Sequence, residues 1–408
     1  MAKEYKDLIV GLDIGTAKIM VVVAEVMPGG ELKLAGLGVA PSNGLKRGVV
    51  VNIDATVQSI QVALKEAELM ADCKITRVYT GITGSHIRGI NSSGMVAVKD
   101  REVTQADVAR VVETAKAINI STDQRLLLVE PQEFIIDGQD VREPIGMSGI
   151  RLEAKVHIVT GAQTAAENII KCVRRCGLEV EQLMLNPLAS SLSVLTADER
   201  ELGVAMVDIG AGTTDVAIFT NGAIRYTAVI PIAGDLITSD IAMALRTPTK
   251  DAEDIKVESG HAKQLLASET QVEVPGLGDR GPRMLSRQSL AGVIEPRIEE
   301  IFSLVNHVMR ESGFEEVLSS GIVLTGGSCV MPGMVELAED IFLKPVRRGT
   351  PQYRGALSDM VAHPRAATVM GLLEEARLGR MRGYKVAQKQ GSVKTAFGGL
   401  KDWFVGNF

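Results

Sequence analysis

Two stretches of the chain end an apolar run with an aspartate and follow it with a glycine-rich turn. The first, Leu8 to Val26, reads LIVGLDIGTAKIMVVVAEV, and the second, Leu202 to Gly222, reads LGVAMVDIGAGTTDVAIFTNG. A β-branched run follows each turn, which is the pattern of a hairpin. Backbone N–H groups of such a turn can point inward and cradle an anion, and glycine lets a phosphate come close. Asp13 and Asp208 stand just before the turns. A carboxylate there repels phosphate but can hold a hydrated Mg2+ that bridges phosphate oxygens. Thr16, Thr213 and Thr214 offer hydroxyls to the terminal phosphates. Two turns face to face would clamp a triphosphate from both sides, whereas one alone reads more readily as an ordinary β turn, where Asp and Gly are the usual residues.

A third stretch, GIVLTGGSCVMPGM from Gly321 to Met334, is a buried strand running into Gly326-Gly327, with a helix expected after Pro332. A turn without side chains at a strand's carboxyl end lets a flat base or sugar slide past the backbone. A fourth glycine pattern, GLGDRG from Gly276 to Gly281, fits G-x-G-x-x-G, but prolines flank it and neither a strand nor a helix frames it. It reads as a surface loop. Arg280, Arg283, Arg287 and Arg297 make its surroundings basic.

The elements that must hold these turns follow from periodicity. The shared D-I-G marks the hairpins as openings of two duplicated halves. Between them, Val57 to Ala71 is helical, with Ile60, Ala63, Leu64, Ala67 and Met70 on one face, and Ile75 to Ile82 is a strand. The texture changes from Ser85 to about Val159. A helix from Thr104 to Ile118, opened by Thr104 with Asp107 three residues on, lies among short strands such as RLLLVEP and FIID. That segment reads as an inserted subdomain. Ala165 to Cys176 resumes as a helix stopped by Gly177, and Gly234 to Ala244, Ala252 to Glu258 and Leu290 to Glu311 are helical. The ordered body should finish near Leu378.

The fold class is α/β, with two halves around a cleft and a small α+β insertion. Residues 1–84 and 162–198 form the first half, with 85–161 inserted. Residues 199–242 and 310–383 form the second, with 243–309 as its subdomain. Residues 384–392 are a linker, and 393–408 form an amphipathic helix.

Composition narrows the class further. The 408 residues are 46% hydrophobic and 23% charged, with a formal net charge of −6, which excludes a disordered chain and gives no global reason to bind nucleic acid. Four cysteines exclude a disulfide scaffold; Cys172 and Cys176, at one-turn spacing, are too few for a zinc site, so reduced thiols and a cytosolic location are expected. The first apolar run is cut by Asp13, which argues against a signal peptide. The charge-free stretch Val317 to Val335 could span a bilayer by length, but its Gly pair and Pro332 make it strand, turn and helix start.

The end of the chain is unlike the rest. Aromatic residues make up 3% of the protein, yet Phe397, Trp403, Phe404 and Phe408 all fall in the last twelve positions. At 100° per residue Phe397, Leu400, Phe404 and Phe408 share a narrow arc, with Trp403 at its edge. Lys394 and Lys401 flank the opposite edge, where their ammonium groups could reach lipid headgroups. No acidic residue occurs from Arg377 to Lys401. A tail of this kind suits an anionic membrane surface.

The three glycine elements resemble the phosphate-1, phosphate-2 and adenosine motifs of the actin, Hsp70 and sugar-kinase superfamily. Together with NPLASSLSVLTADERELG (Asn186 to Gly203), IPIAGDLITSDIA (Ile230 to Ala242) and VIEPRIEEIFSLVN (Val293 to Asn306), they resemble the FtsA family of actin-like bacterial division proteins over essentially the whole chain. The resemblance implies an ATP·Mg2+ site. Gly11, Asp13, Gly15, Thr16, Ala17 and Lys18 would form its first phosphate loop. Asp208, Gly210, Gly212, Thr213 and Thr214 would form the second, Gly326, Gly327 and Ser328 would lie at the adenosine, and Gly234 would be a further cofactor-binding residue. Glu253 and Lys256 match a nucleoside-contacting pair of Hsp70-like relatives, an exposed ion pair being the other reading. Asn186 stands where many superfamily ATPases place the Glu or Gln that orients the attacking water. An amide is no base, so at most slow hydrolysis is expected.

The same resemblance implies self-assembly through the inserted subdomain and docking of the FtsZ carboxyl-terminal peptide on residues 243–309, with Arg287 and Arg297 as candidate contacts. It further implies recruitment of other division proteins, at the cytoplasmic face of the inner membrane. A sugar or acid kinase and a pilus-assembly relative share the core; neither needs the aromatic tail.

Overall fold

The computed structural model describes residues 7–278 and 280–381; the expected linker and amphipathic helix lie outside them. Two five-stranded sheets of the same topology carry the molecule. In half 1 the order is β11-β6-β1-β2-β3, with β1 (Leu8–Ile14), β2 (Lys18–Val26) and β3 (Leu32–Pro41) an antiparallel meander. The strand pair β4 (Leu45–Lys46) and β5 (Val49–Val50) then leads into helix α1 (Ile53–Ala71), and β6 (Arg77–Ile82) pairs parallel to β1.

Asn52 caps α1 by accepting from the Ala55 N–H at 3.0 Å. Ile60, Ala63, Leu64 and Ala67 are buried as expected, but Met70 lies outside the stripe and Ala71 takes its place.

Chain from Thr83 to Gly161 leaves this sheet and returns to it. It builds a second sheet, β7-β10-β8-β9, from β7 (Arg88–Ala97), β8 (Gln124–Ile136), β9 (Gln139–Val141) and β10 (Arg151–Ala162). Helix α2 (Gln105–Ala115) covers it, burying Val108, Val111 and Val112 against Leu152 and Val156. The Thr104–Asp107 capping box that the sequence signals is formed in both directions. The two short strands expected at RLLLVEP and FIID are one strand, β8, whose register with β10 slips beside Pro131. Pro131, which has no N–H, lies where β8 pairs with β10 alone, since β8 pairs with β9 only from Phe134 onward.

Helix α3 (Gln163–Arg175) and β11 (Glu179–Leu185), parallel to β6, complete half 1. Helices α4 (Asn186–Val194) and α5 (Ala197–Leu202) lead into half 2. There β12 (Val204–Ile209), β13 (Thr214–Thr220) and β14 (Ala223–Ile230) repeat the meander. After them come α6 (Gly234–Leu245), α7 (Thr249–Ser259), the hairpin β15 (Gln271–Val274) and β16 (Arg283–Ser286), and α8 (Arg287–Ser312).

The motif around Gly326 folds as β17 (Ile322–Thr325), a 3-10 turn over Gly327–Val330 and helix α9 (Met334–Phe342). With β18 (Val346–Arg348), β17 extends half 2 into the order β14-β13-β12-β17-β18. Both central hairpins are buried on both faces, as expected of strands with helices on either side. A short α10 (Ser358–Val361) precedes α11 (Ala367–Met381), which crosses back and packs Val369, Leu372, Leu373 and Ala376 against Ile9, Met20 and Leu34 of half 1. Among the described residues no helix is long and apolar enough to cross a membrane, and all four cysteines are free.

Candidate functional site

The turn of each central hairpin is closed by the same bond: Gly15 donates to the Lys18 carbonyl at 3.0 Å, and Gly210 to the Thr213 carbonyl at 2.9 Å. The turns face each other at the junction of the halves, where a Cβ on Gly212 would come within 2.6 Å of Thr16 Oγ1. Between them lies a cavity of about 440 Å3. Of the residues expected around a nucleotide, all but Gly11, Thr214 and Gly234 line it.

Three of those expectations are corrected. Gly11 faces α11 instead, where a Cβ would come within 2.9 Å of the Val369 carbonyl. Thr214 is fully buried and donates to the Ile232 carbonyl at 2.7 Å, so its hydroxyl ties β13 to the chain after β14 and is not turned to a ligand. Gly234 acts one step back: its carbonyl accepts from Lys256 Nζ at 3.2 Å.

Asp13 and Asp208 occupy equivalent places but have different partners. Lys18 Nζ lies 2.7 Å from Asp13 Oδ2, a largely buried ion pair. Asp208 instead accepts from Ser190 Oγ at 2.6 Å, and Ser190 in turn meets Thr368 Oγ1 at 3.0 Å. Burial pushes the Asp208 carboxyl up to about 6, against the pull of the Ser190 bond. Asp215, directly across the hairpin from Asp208, also lines the cavity. Burial, with the charge of Asp208 beside it, raises Asp215 to about 8. It accepts from Thr83, at the end of the half 1 sheet, and from Thr213 at 3.3 Å. Asp215, Thr83, Ser190 and Thr368 are site residues that the sequence reading missed. Only Asp215 had a signal, as the last letter of D-I-G-A-G-T-T-D.

Gly326 has φ +87, and a Cβ there would lie 2.4 Å from Asp208 Oδ1, so only glycine brings this turn against the carboxylate. Ser328 donates to the Gly210 carbonyl at 2.7 Å, tying the Gly326–Gly327 turn to the Gly210–Thr213 turn. Glu253 and Lys256, 2.6 Å apart on α7, line the cavity, and Lys256 is buried, so the exposed-pair reading of these two is set aside for the lysine. Asn186 opens α4 at the cavity wall, and its buried Oδ1 has no hydrogen-bond partner among the described residues.

These features fit a nucleotide with a divalent cation. The cavity is lined by two N–H-bearing turns and a lysine at one of them. Among the described residues no group of three or more His, Cys, Asp or Glu is arranged to hold a metal alone. A cation here would rest on Asp13, Asp208, water and the ligand's own oxygens.

Both arginines expected to meet a partner peptide are engaged within the molecule. Arg287 donates to the carbonyls of Ser259 (2.8 Å) and Gly260 (3.0 Å), capping α7. Arg297 makes a two-pronged pair with Asp240 at 2.5 and 3.0 Å and also bonds Glu300. These bonds fix the direction of each guanidinium and leave part of its five N–H donors unspent.

Comparison with known proteins places this architecture. A family model described as cell division protein FtsA matches residues 205–371, and one described as the SHS2 domain inserted in FTSA matches 84–160. The cell division protein FtsA of Pseudomonas aeruginosa is 54% identical over 98% of each chain, and that of Escherichia coli K12 is 45% identical over 99% of each. Among solved structures, the PilM-PilN type IV pilus biogenesis complex superposes with a TM-score of 0.66 at 19% identity, covering 92% of this chain and 98% of that one. MreB 5 of Spiroplasma citri bound to AMPPNP gives 0.58 at 15% identity (93% and 99%), and the MamK double helical filament gives 0.52 at 12% (90% and 98%). The fold is the actin-like ATPase fold, and on sequence the chain belongs to the FtsA family of cell division proteins.

Proposed function

We propose that the protein binds ATP·Mg2+ in the cleft between its halves, polymerises as an actin-like filament and anchors FtsZ polymers to the cytoplasmic membrane. The observation that carries the reading is the cavity between the two equivalent turns, with Asp13 and Asp208 at its floor. Lys18 would meet the phosphates, and Glu253 and Lys256 would lie toward the nucleoside. A bound Mg2+ would neutralise phosphate charge between the two aspartates. Asn186 Oδ1 would accept from a water but cannot take its proton, so nucleotide is held and hydrolysed slowly or not at all. A nucleotide-bound neighbour and a filamentous neighbour on the same fold agree with this reading.

Residues 393–408 would lie in the membrane interface through Phe397, Leu400, Trp403, Phe404 and Phe408, with Lys401 toward the headgroups. One such tail binds weakly, and assembly would make attachment firm by multivalency. The inserted subdomain would supply filament contacts. The FtsZ carboxyl-terminal peptide would dock on residues 243–309, and other division proteins would follow at the inner membrane of the division site. Full-length identity to division proteins favours this over a kinase or a pilus role.

The decisive experiment is electron microscopy of the full chain with ATP on an anionic lipid monolayer, with FtsZ peptide binding measured in parallel. Membrane-bound filaments are expected. Phosphorylation of a small-molecule acceptor, without filaments, would overturn the proposal.

A further inference from the structure

By chain connectivity the inserted subdomain belongs to half 1, yet polar side chains of three of its strands, buried His157 among them, bond to β14, the edge strand of half 2. Asn91 of β7 donates Nδ2 to the Arg225 carbonyl at 3.1 Å. Gln132 of β8 donates Nε2 to the carbonyls of Ile224 at 2.9 Å and Arg225 at 3.2 Å. His157 of β10, 1% exposed, sits between them. Its Nδ1 is 2.6 Å from Asn91 Oδ1, and its Nε2 is 2.9 Å from Thr227 Oγ1.

An amide oxygen only accepts, so Nδ1 carries the ring proton and Nε2 receives the proton of the Thr227 hydroxyl. The bonds therefore form one directed chain, from the Thr227 hydroxyl through His157 and Asn91 to the Arg225 carbonyl, with both ends on β14. Buried Arg225 adds an ion pair to Glu133 of β8 at 2.6 Å. Contacts of the subdomain with half 1 are largely apolar, with Ile87, Leu127 and Leu128 packed into its core; the hydrogen bonds lie at the chain connection, from the Ala162 N–H to His86 Nδ1 and from the Gln163 N–H to the Asp123 carbonyl. Apolar packing is non-directional and can slide, whereas a closed hydrogen-bond chain holds one geometry.

The strand β14 is itself tied to the second phosphate turn. It pairs with β13, which begins where that turn ends. Just beyond it, Gly234 and Asp235 donate to the Gly210 and Ala211 carbonyls of the turn, at 3.2 and 2.8 Å.

Resting on the reading of the cleft as a nucleotide site, we infer that the His157–Asn91–Thr227 clasp couples occupancy of the cleft to the placement of the inserted subdomain. When the second phosphate turn shifts on ligand binding, β14 shifts with it, and the subdomain follows β14 by pivoting about its connection to half 1. The surface proposed for filament contacts would thereby read the state of a cleft it does not touch, and the coupling acts equally in the other direction.

The test is hydrogen exchange on the full chain with and without ATP·Mg2+, for the wild type and for Thr227→Val and Thr227→Ser, with calorimetry of ATP·Mg2+ binding to each. Valine keeps the shape and removes the hydroxyl; serine restores it. In the wild type and the serine variant, nucleotide should change exchange several-fold in residues 88–97 and 124–136. The valine variant should still bind nucleotide and lose that change. A wild type that binds nucleotide with no change there, or a valine variant that keeps the full change, overturns the clasp. A wild type that fails to bind ATP·Mg2+ by calorimetry overturns the cleft reading itself, and the clasp's role falls with it.

Discussion

Thr83 and Asp215 meet across the cleft: the hydroxyl at the end of the half 1 sheet donates to the carboxyl group on β13 of half 2. The bond is buried and joins two units of separate hydrophobic core. It closes the floor of the cavity beneath the two turns.

The first prediction concerns the stability of this floor. Asp215 is raised to about 8 in the folded protein, against an ordinary value near 3.8, chiefly by burial. A carboxyl raised in this way favours folding most below its unfolded value, and that contribution is lost as pH climbs toward 8. Asp215→Asn, neutral throughout, should raise the melting midpoint of the nucleotide-free protein by a few degrees at pH 7.5, with the gap narrowing toward pH 5. Thermal melts across that range check it, and equal midpoints for both proteins at every pH would refute the assignment.

Removing the other carboxylate should act on ligand and not on fold. Asp208→Ala is expected to weaken ATP·Mg2+ binding by about tenfold or more, roughly 1.4 kcal/mol, while leaving the circular dichroism spectrum unchanged. Calorimetry with an unaltered affinity would mean that the cation and phosphates sit elsewhere.

Asn186 supplies a third test. Its orphaned Oδ1 is the acceptor proposed to hold a water. Asn186→Ala should leave nucleotide affinity nearly unchanged and abolish whatever slow phosphate release the wild type shows. A variant that hydrolyses at the wild-type rate would remove this residue from the chemistry.

His157 gives a pH dependence of opposite sign to that of Asp215. Burial lowers it to about 4 from an ordinary 6.5. The unfolded chain takes up its proton first, so stability is complete above pH 6.5 and declines as pH falls toward 4, by about 3 kcal/mol in all. Denaturant titrations should show that decline shallower in His157→Asn. Parallel curves would place the imidazole in a wetter setting than its neighbours imply.

For the tail, truncation after Lys389 should release the protein from anionic vesicles in a co-sedimentation assay without affecting ATP binding. Each basic residue near such a surface is worth ~1 kcal/mol, so raising salt should mimic part of the loss. Undiminished sedimentation of the truncated chain would exclude the anchor.

What the sequence made legible was local. The repeated D-I-G announced two hairpins because strand, turn and strand lie within about 20 residues, and Thr104 with Asp107 announced a helix start for the same reason. What it hid was set by tertiary contact. Thr83 belongs to the site only because β6 ends opposite β13, and nothing near it in sequence says so. The internal bonds of Arg287 and Arg297 were hidden for the same reason, since Ser259, Gly260 and Asp240 lie 27 to 57 residues away; only Glu300, three residues from Arg297, is a local partner. RLLLVEP and FIID looked like two short strands because the β10 partner that pairs with both is invisible one strand at a time.

The insertion between β6 and α3 also bears on how the chain assembles. Its entry and exit are neighbours across one ladder, Arg88 opposite Thr160, and it has a core of its own. The strands it separates, β6 and β11, must later lie side by side in the half 1 sheet. If the insertion folds first, it turns the 96-residue connection between β6 and β11 into an effective one of about 23 residues, two halvings that save roughly 1.2 kcal/mol of closure entropy. The parent sheet then zips across a short bridge, and the subdomain acts during synthesis as a splint for the half that carries it.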